Sequence, residues 1–265
     1  MGLLLAAPLV SQLAFAQTTP ETYKPVAGQP GKDVVWIPTP DATLDKMLDI
    51  AKITPNDFVI DLGSGDGRMV IAAAKRGARA HGVEYNPDLV TLSQRAAITA
   101  GVPDKATFSH GDMFEADISK ATVMPLFLLP SNLEKLAPKF LRLQPGARIV
   151  SNTSEIGGGW EPDETVRTEP CLSWCIAHLY VVPARAGGDW RLGESEWLTL
   201  EQHYQIITGA YQIDGVSVPI DNGRLRGEEI RFTVNSVAYT GRISGNAMTG
   251  VAQGRTLREW RAVRE

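Results

Sequence analysis

The chain is poor in the residues that several chemistries need. It has two cysteines and four histidines in 265 residues. Two thiols are too few for a disulfide scaffold, and no Cys/His cluster with zinc spacing accompanies them. Basic residues are not in excess: 26 Lys and Arg face 30 Asp and Glu, for a net charge of −4. No basic stripe stands out, which argues against a nucleic-acid partner. No apolar run is long enough to cross a bilayer as a typical helix. What remains is an ordinary globular composition, 43% hydrophobic and 21% charged. The length allows one large domain or two unequal ones.

The longest apolar run, Gly2 to Ala16, is uncharged and ends Ala14-Phe15-Ala16 before Gln17. It reads as a signal-peptide apolar region with a small-x-small cleavage site, without the usual positive N-terminal charge. Residues 1–16 are thus expected to target the chain to the periplasm or a membrane; without such a signal the location would be cytoplasmic. Residues 17–33, rich in Pro, Thr, Gly and Gln, read as an extended linker.

The stretch around which the rest is organised is Val59-Ile60-Asp61-Leu62-Gly63-Ser64-Gly65-Asp66-Gly67, running into Arg68-Met69-Val70-Ile71-Ala72-Ala73-Ala74. An apolar run reads as a buried strand, three alternating glycines as a tight turn, and the good helix formers after them as a helix. This unit opens nucleotide-binding α/β folds, because glycines let the backbone approach a ligand and the new helix aims free N–H groups at it. The spacing is G-x-G-x-G, not the dinucleotide G-x-G-x-x-G. Asp61 and Asp66 would repel a pyrophosphate but tolerate a cation, which disfavours an NAD-dependent oxidoreductase. Arg79 to Val83 reads as a second strand ending in Glu84-Tyr85, about twenty residues on, where a ribose-binding acid belongs. Asn86-Pro87-Asp88 starts a helix that Gly101 closes. A third strand, Ala106 to Ser109, leads to Gly111-Asp112-Met113.

Asp-x-Gly-x-Gly-x-Gly with acids at successive strand ends resembles class I S-adenosylmethionine (SAM) methyltransferases. From Trp36 to about Asn152 the chain is similar to bacterial relatives of the mitochondrial lysine methyltransferases that modify the ATP synthase c-subunit and the adenine nucleotide translocase. The supporting residues are Pro38-Thr39-Pro40, Asp61-Leu62-Gly63-Ser64-Gly65-Asp66-Gly67-Arg68 and Leu128-Leu129-Pro130. The resemblance implies an α/β fold: a seven-stranded Rossmann-like sheet with helices on both faces, ending in an antiparallel hairpin. It implies SAM as cofactor, held by Asp61, Gly63, Ser64, Gly65, Asp66, Gly67, Glu84, Tyr85, Asp112 and Met113, with Asp112 on the adenine amino group. It implies that the segment before the glycine motif covers the methionine end of SAM. Nucleobase-amino methyltransferases carry Asn/Asp-Pro-Pro-Tyr/Phe after strand four; here Met124-Pro125-Leu126-Phe127 stands instead. That departure argues against a nucleobase acceptor; the resemblance implies a protein lysine, with Thr39, Asn152 and Glu155 as candidates to position or deprotonate it. Two alternatives stay open: a small-molecule acceptor, and a SAM-binding module without transfer activity. No metal is expected, and the oligomeric state is not readable.

Further along, Ser119 to Leu129 reads as a fourth strand, Ser131 to Leu143 as a helix and Ala147 to Ser151 as a fifth strand. Asp41 or Thr43 can cap a helix bearing Met47, Leu48 and Ala51. Gly157-Gly158-Gly159 could act as a lid, with Trp160 in the core. Cys171 and Cys175 on one strand would stand about 13 Å apart and could not bond. A turn at Leu172-Ser173 could join them; free buried thiols are the expectation. His178 reads as a core or edge residue. Residues 34–186 would form the SAM-binding domain. From 187 to 265, short apolar runs punctuated by Asp214-Gly215, Asn222-Gly223 and Gly245-Asn246 turns predict an antiparallel β meander or half-barrel. In it, Trp197 to Tyr211 reads as one run and Gln202 to Gln205 as a solvated face.

Overall fold

The computed structural model describes residues 23–265; the leader read as a targeting signal lies outside them. Helix α1 (Asp41–Ile50) precedes β1 (Phe58–Leu62), α2 (Arg68–Lys75), β2 (Arg79–Glu84), α3 (Pro87–Thr99), β3 (Ala106–His110), β4 (Val123–Leu126), α4 (Pro130–Phe140), β5 (Arg148–Asn152), β6 (Glu164–Arg167) and β7 (Ile176–Val181). The strands form one seven-stranded sheet in the order β3-β2-β1-β4-β5-β7-β6. β3 through β5 are parallel, and β7 runs antiparallel to both β5 and β6.

Strand alternation assigns the two cores. Val59 joins α1, α2 and α3 on one face, while Ile60 and Leu62 join α4 on the other. α1 starts differently from expectation. Pro40 sits at the N-cap with no side-chain cap bond, Asp41 lies in the first turn, and Thr43 is fully buried. β4 is shorter than expected and pairs with β1 only at Val59–Val123. Pro125 has no N–H to continue that ladder, so the sheet parts between β1 and β4. This is also where strand order reverses, the place where α/β sheets hold ligands.

The start of β1 is pinned by the buried Asp57. Its carboxylate accepts from Thr54 N (2.8 Å), Thr54 Oγ1 (3.0 Å) and Thr122 Oγ1 (2.7 Å), and pairs with Arg148. Burial alone would raise its pKa, but these donors together hold it below the ordinary value. A depressed pKa contributes stability above the unfolded value of about 3.9, lost as pH falls through the folded value. Asp57→Asn should cost about 1–3 kcal/mol in urea melts at neutral pH and nothing at strongly acidic pH; an equal loss at both would overturn this account.

Nine further strands follow: β8 (Gly188–Arg191), β9 (Glu196–His203), β10 (Ile206–Ile213), β11 (Val216–Pro219), β12 (Asp221–Arg226), β13 (Glu229–Val234), β14 (Val237–Ser244), β15 (Ala247–Gln253) and β16 (Leu257–Arg264). The expected meander is present, and it closes. β8 bridges β16 and β9, β9 pairs with β10, and β10 meets β11 and β12 at its two ends. Closure leaves no long open edge, and Trp190, Phe232, Tyr239, Met248 and Trp260 fill the interior. The run read as one strand folds at Tyr204, whose φ is 51°, giving β9 and β10. Asn222-Gly223 is not a hairpin turn: it lies within β12, at the shifted register between Asp221 and Arg224.

The seam between sheet and barrel bears on two expectations. Gly157, Gly158 and Gly159 all have positive φ, and a Cβ on Gly158 would stand 2.6 Å from Tyr204 Oη. The triple glycine lies beneath the β9–β10 turn and lines neither lobe of the cleft described below. Gln202 to Gln205 is not a solvated face. Tyr204 stacks on the buried Trp160 at 5.3 Å, and Gln205, fully buried, donates to Glu161 O at 2.7 Å.

Cys171 and Cys175 form a disulfide, with Cα atoms 5.7 Å apart, against the expectation of free thiols. The extended-strand geometry does not apply: β7 begins only at Ile176, and Trp174 turns the chain at φ 59°. His178 is a buried strand residue, bonded to Thr165 Oγ1 at 2.9 Å and Thr153 O at 3.3 Å.

Candidate functional site

The gap between β1 and β4 opens into a cleft with two lobes that share Trp36, Ile37, Gly63 and Phe127. The glycine turn forms its floor. Gly63 N and Ser64 N donate to Val83 O at 2.8 and 3.1 Å, and Gly65 N donates to Glu84 Oε2 at 2.9 Å. Gly65 has φ 56°, and a Cβ there would lie 2.5 Å from Trp36 Nε1, so only glycine lets the indole lie across the loop.

The wider lobe, about 670 Å³ of empty space including its mouth, carries Glu84, Tyr85, Asp112 and Met113. Glu84 is fixed from both sides, its second oxygen accepting from Asn86 N at 2.8 Å. Asp112 accepts from Phe114 N at 2.8 Å and pairs with Lys32. The Lys32 bond, and then the Phe114 N–H, hold its pKa below the ordinary value. Lys32 also lies over the Tyr85 ring at 5.1 Å. Its segment, read from sequence as linker, folds back: Gly28 N donates to Trp36 O (2.8 Å) and Trp36 N to Gln29 O (3.0 Å). Residues 29–37 line this lobe. Gly28, Pro30 and Gly31 were the available turn signal.

The narrower lobe, about 400 Å³, carries Asp61, Ser64, Gly65, Asp66 and Thr39. Asp66 is answered by Arg68 at 2.8 Å, and Arg68 also donates to Thr39 O at 3.0 Å. Asp61 is buried, and among the described residues no cation pairs with it. Burial, then Glu84, then Asp66 push its carboxyl well above the usual range. Ser64 Oγ is buried without a partner. The Ser64 hydroxyl points under the loop toward Gly82 and Phe108, so the cleft's complementarity to a cationic ligand rests on a buried acid beside two others on a glycine floor.

Of the residues expected to hold SAM, all line the cleft but Gly67. Gly67 is a packing glycine: at φ 78°, its Cβ would stand 2.7 Å from Phe108. Of the three acceptor-side candidates, only Thr39 lines a lobe. Asn152 is fully buried at the end of β5, with Nδ2 unpartnered and Oδ1 accepting from Thr153 Oγ1. Glu155 is exposed and lines neither lobe; it follows Thr153, whose φ is 64°. Among the described residues, no group of three or more His, Cys, Asp and Glu could hold a metal.

Comparison with known proteins agrees with this geometry. Residues 61–164 match the model of the ANTKMT methyltransferase domain. A protein-lysine N-methyltransferase from Saccharolobus islandicus is 41% identical over 152 residues, which is 56% of this chain and 94% of that protein. The adenine nucleotide translocase lysine N-methyltransferase of Mus musculus is 36% identical over 121 residues, 45% of this chain and 52% of that enzyme, so the chain spans about half of it. Among solved structures, an RNA methyltransferase from Salinibacter ruber in complex with S-adenosyl-L-homocysteine is 45% identical. It superposes with a TM-score of 0.53 over 57% of this chain and 96% of that one. With the glycine floor, the strand-end acids and the topological switch in place, the chain belongs to the class I SAM-dependent methyltransferases, in the family of the Saccharolobus protein-lysine enzyme.

Proposed function

We propose that the protein methylates the side-chain amine of a protein lysine. The observation that carries this is the match to nearly the whole length of the Saccharolobus enzyme, on a cleft whose buried acid suits SAM. In this reading Asp61 receives the ammonium of SAM. Glu84 receives the ribose hydroxyls, and Asp112, once Lys32 yields it, the adenine amino group. SAM supplies a methyl group on a sulfonium leaving group. The chain's own task is then to hold the amine in line and exclude water. Trp36 and Phe127, shared by both lobes, wall off the junction. Thr39, buried at the narrower lobe with its carbonyl held by Arg68, orients the amine, whose proton leaves to solvent. Asn152 and Glu155 take no part at the reacting atoms.

An RNA acceptor is the second reading, favoured by the name of the Salinibacter enzyme. Met124-Pro125-Leu126-Phe127 lacks the Asn/Asp-Pro-Pro motif, and the net charge of −4 gives little attraction to phosphates. The test incubates the protein with deuteromethyl-SAM, total cell protein and total RNA, followed by mass spectrometry of both pools. Labelled methyl-lysine is expected. Label in nucleosides and none in lysine would replace this reading with the RNA one.

A further inference from the structure

We propose that the disulfide-closed ring Cys171–Cys175 is the acceptor-selecting wall of the site, with Trp174 as its selecting residue and the bridge as the device that keeps it there. The inference rests on the lysine reading above and names the residues that would act on the lysine arm.

The ring packs against a residue that lines both lobes. Phe127 follows β4 at the parted sheet and lines both lobes. The Trp174 ring lies 5.3 Å from it, tilted by 58°. On the opposite side the Cys171 sulfur is 4.0 Å from Thr43 Oγ1, in the first turn of α1, just past Pro38-Thr39. The ring therefore reaches from Phe127, just after β4, to Thr43 in α1; its own residues line neither lobe, and Trp174 meets the cleft through Phe127. Trp174 remains 38% exposed, and Leu172 beside it is fully exposed. Two aromatic faces meeting at an angle, with an apolar rim, suit a long methylene arm ending in an amine. The faces desolvate the arm and attract the cationic or methylated head.

Trp174 adopts φ 59°, an uncommon conformation for a residue with a Cβ. Thr168 N donates to Cys175 O at 2.7 Å, continuing the β6–β7 pairing by one bond, and among the described residues no backbone hydrogen bond reaches residues 171–174. The bridge is the covalent restraint on this turn. A dithiol reductant that passes two electrons and two protons to it leaves Cys171 and Cys175 as thiols and is itself oxidised to a disulfide. The ring then opens and Trp174 is free to leave Phe127. The SAM lobes are lined from the ends of β1, β2 and β3, the start of α2 and residues 29–39, and the ring meets them through Phe127 alone. Acceptor selection, not cofactor binding, is thus tied to the oxidation state.

The test uses the full chain, with SAM affinity by calorimetry and steady-state methylation of poly-L-lysine and of total membrane protein. Wild type, dithiol-treated wild type, Trp174→Ala, Trp174→Phe and Cys171→Ser/Cys175→Ser are compared. Trp174→Ala, the double serine variant and the reduced wild type should raise the acceptor KM by about tenfold or more. Their SAM Kd should stay within about twofold of wild type, which also shows that they are folded. Trp174→Phe should restore most of the loss. An unchanged acceptor KM in Trp174→Ala overturns the proposal alone, as does a parallel rise in SAM Kd. A normal KM after bridge removal overturns the role of the disulfide. Normal SAM binding with no lysine methylation by wild type overturns the lysine reading, and this proposal with it.

Discussion

Asp61→Asn should weaken SAM binding by about 30-fold to several thousand-fold. Removing one partner of a buried charge pair costs about 2–5 kcal/mol, and each 1.4 kcal/mol is about tenfold. The charge matters because Asp61 is the buried acid of the narrower lobe that no side-chain cation answers among the described residues, whereas Asp66 is paired with Arg68. Its pH behaviour follows from the raised pKa, caused first by burial and then by Glu84 and Asp66. A protonated Asp61 cannot attract an ammonium, so binding must expel the proton. Wild-type affinity should therefore climb with pH until the raised pKa is passed and then level off. Asp61→Asn should lack that climb.

Stability without ligand should run the other way. The folded pKa lies above the unfolded value of about 3.9, so the native state favours the protonated acid. The stability this contributes is present below the unfolded value and is lost as pH rises through the folded one. Asp61→Asn should consequently melt higher than wild type at neutral pH, with the gap closing near about pH 4. Calorimetric titration and thermal melts across that range check both statements. A variant that binds SAM as wild type does, with the same pH profile, would remove Asp61 from the site.

The second large effect belongs to the seam. Trp160→Ala should cost about 3–5 kcal/mol, or roughly 6–20 °C in Tm at about 2–4 °C per kcal/mol. Trp160 is fully buried between Tyr180, edge-on at 5.4 Å, and Tyr204, stacked at 5.3 Å. Tyr180 belongs to the sheet and Tyr204 to the barrel turn, so the indole couples the two. Its loss should split a single unfolding transition into two, read by calorimetry. A double-mutant cycle with Tyr204→Ala should show coupling of about 0.5–1.5 kcal/mol. Additive losses with one unbroken transition would mean that Trp160 is merely core.

Which parts of this molecule were legible from residues alone follows the range of the interactions involved. The strand, glycine turn and helix from Phe58 to Lys75 are local: apolar run, positive-φ glycines and helix formers each act within a few positions. The acids Asp61, Glu84 and Asp112 were legible because each lies at the end of a strand whose pattern is itself local. Pairing across distance was not. Barrel closure depends on β8 meeting both β9 and β16, and no residue of Gly188–Arg191 encodes its partners. The bridge depends on a turn at 172–174 that ordinary strand spacing hides. Gly157-Gly158-Gly159 reads as a free loop in sequence and lies beside Tyr204, far along the chain, in the fold. Lys32 looks like linker charge, and becomes Asp112's partner only when residues 28–36 fold over the cleft. Local chemistry was sufficient for the glycine floor of the cleft. The walls around it come from contacts between segments far apart in sequence, whose partners local propensity cannot name.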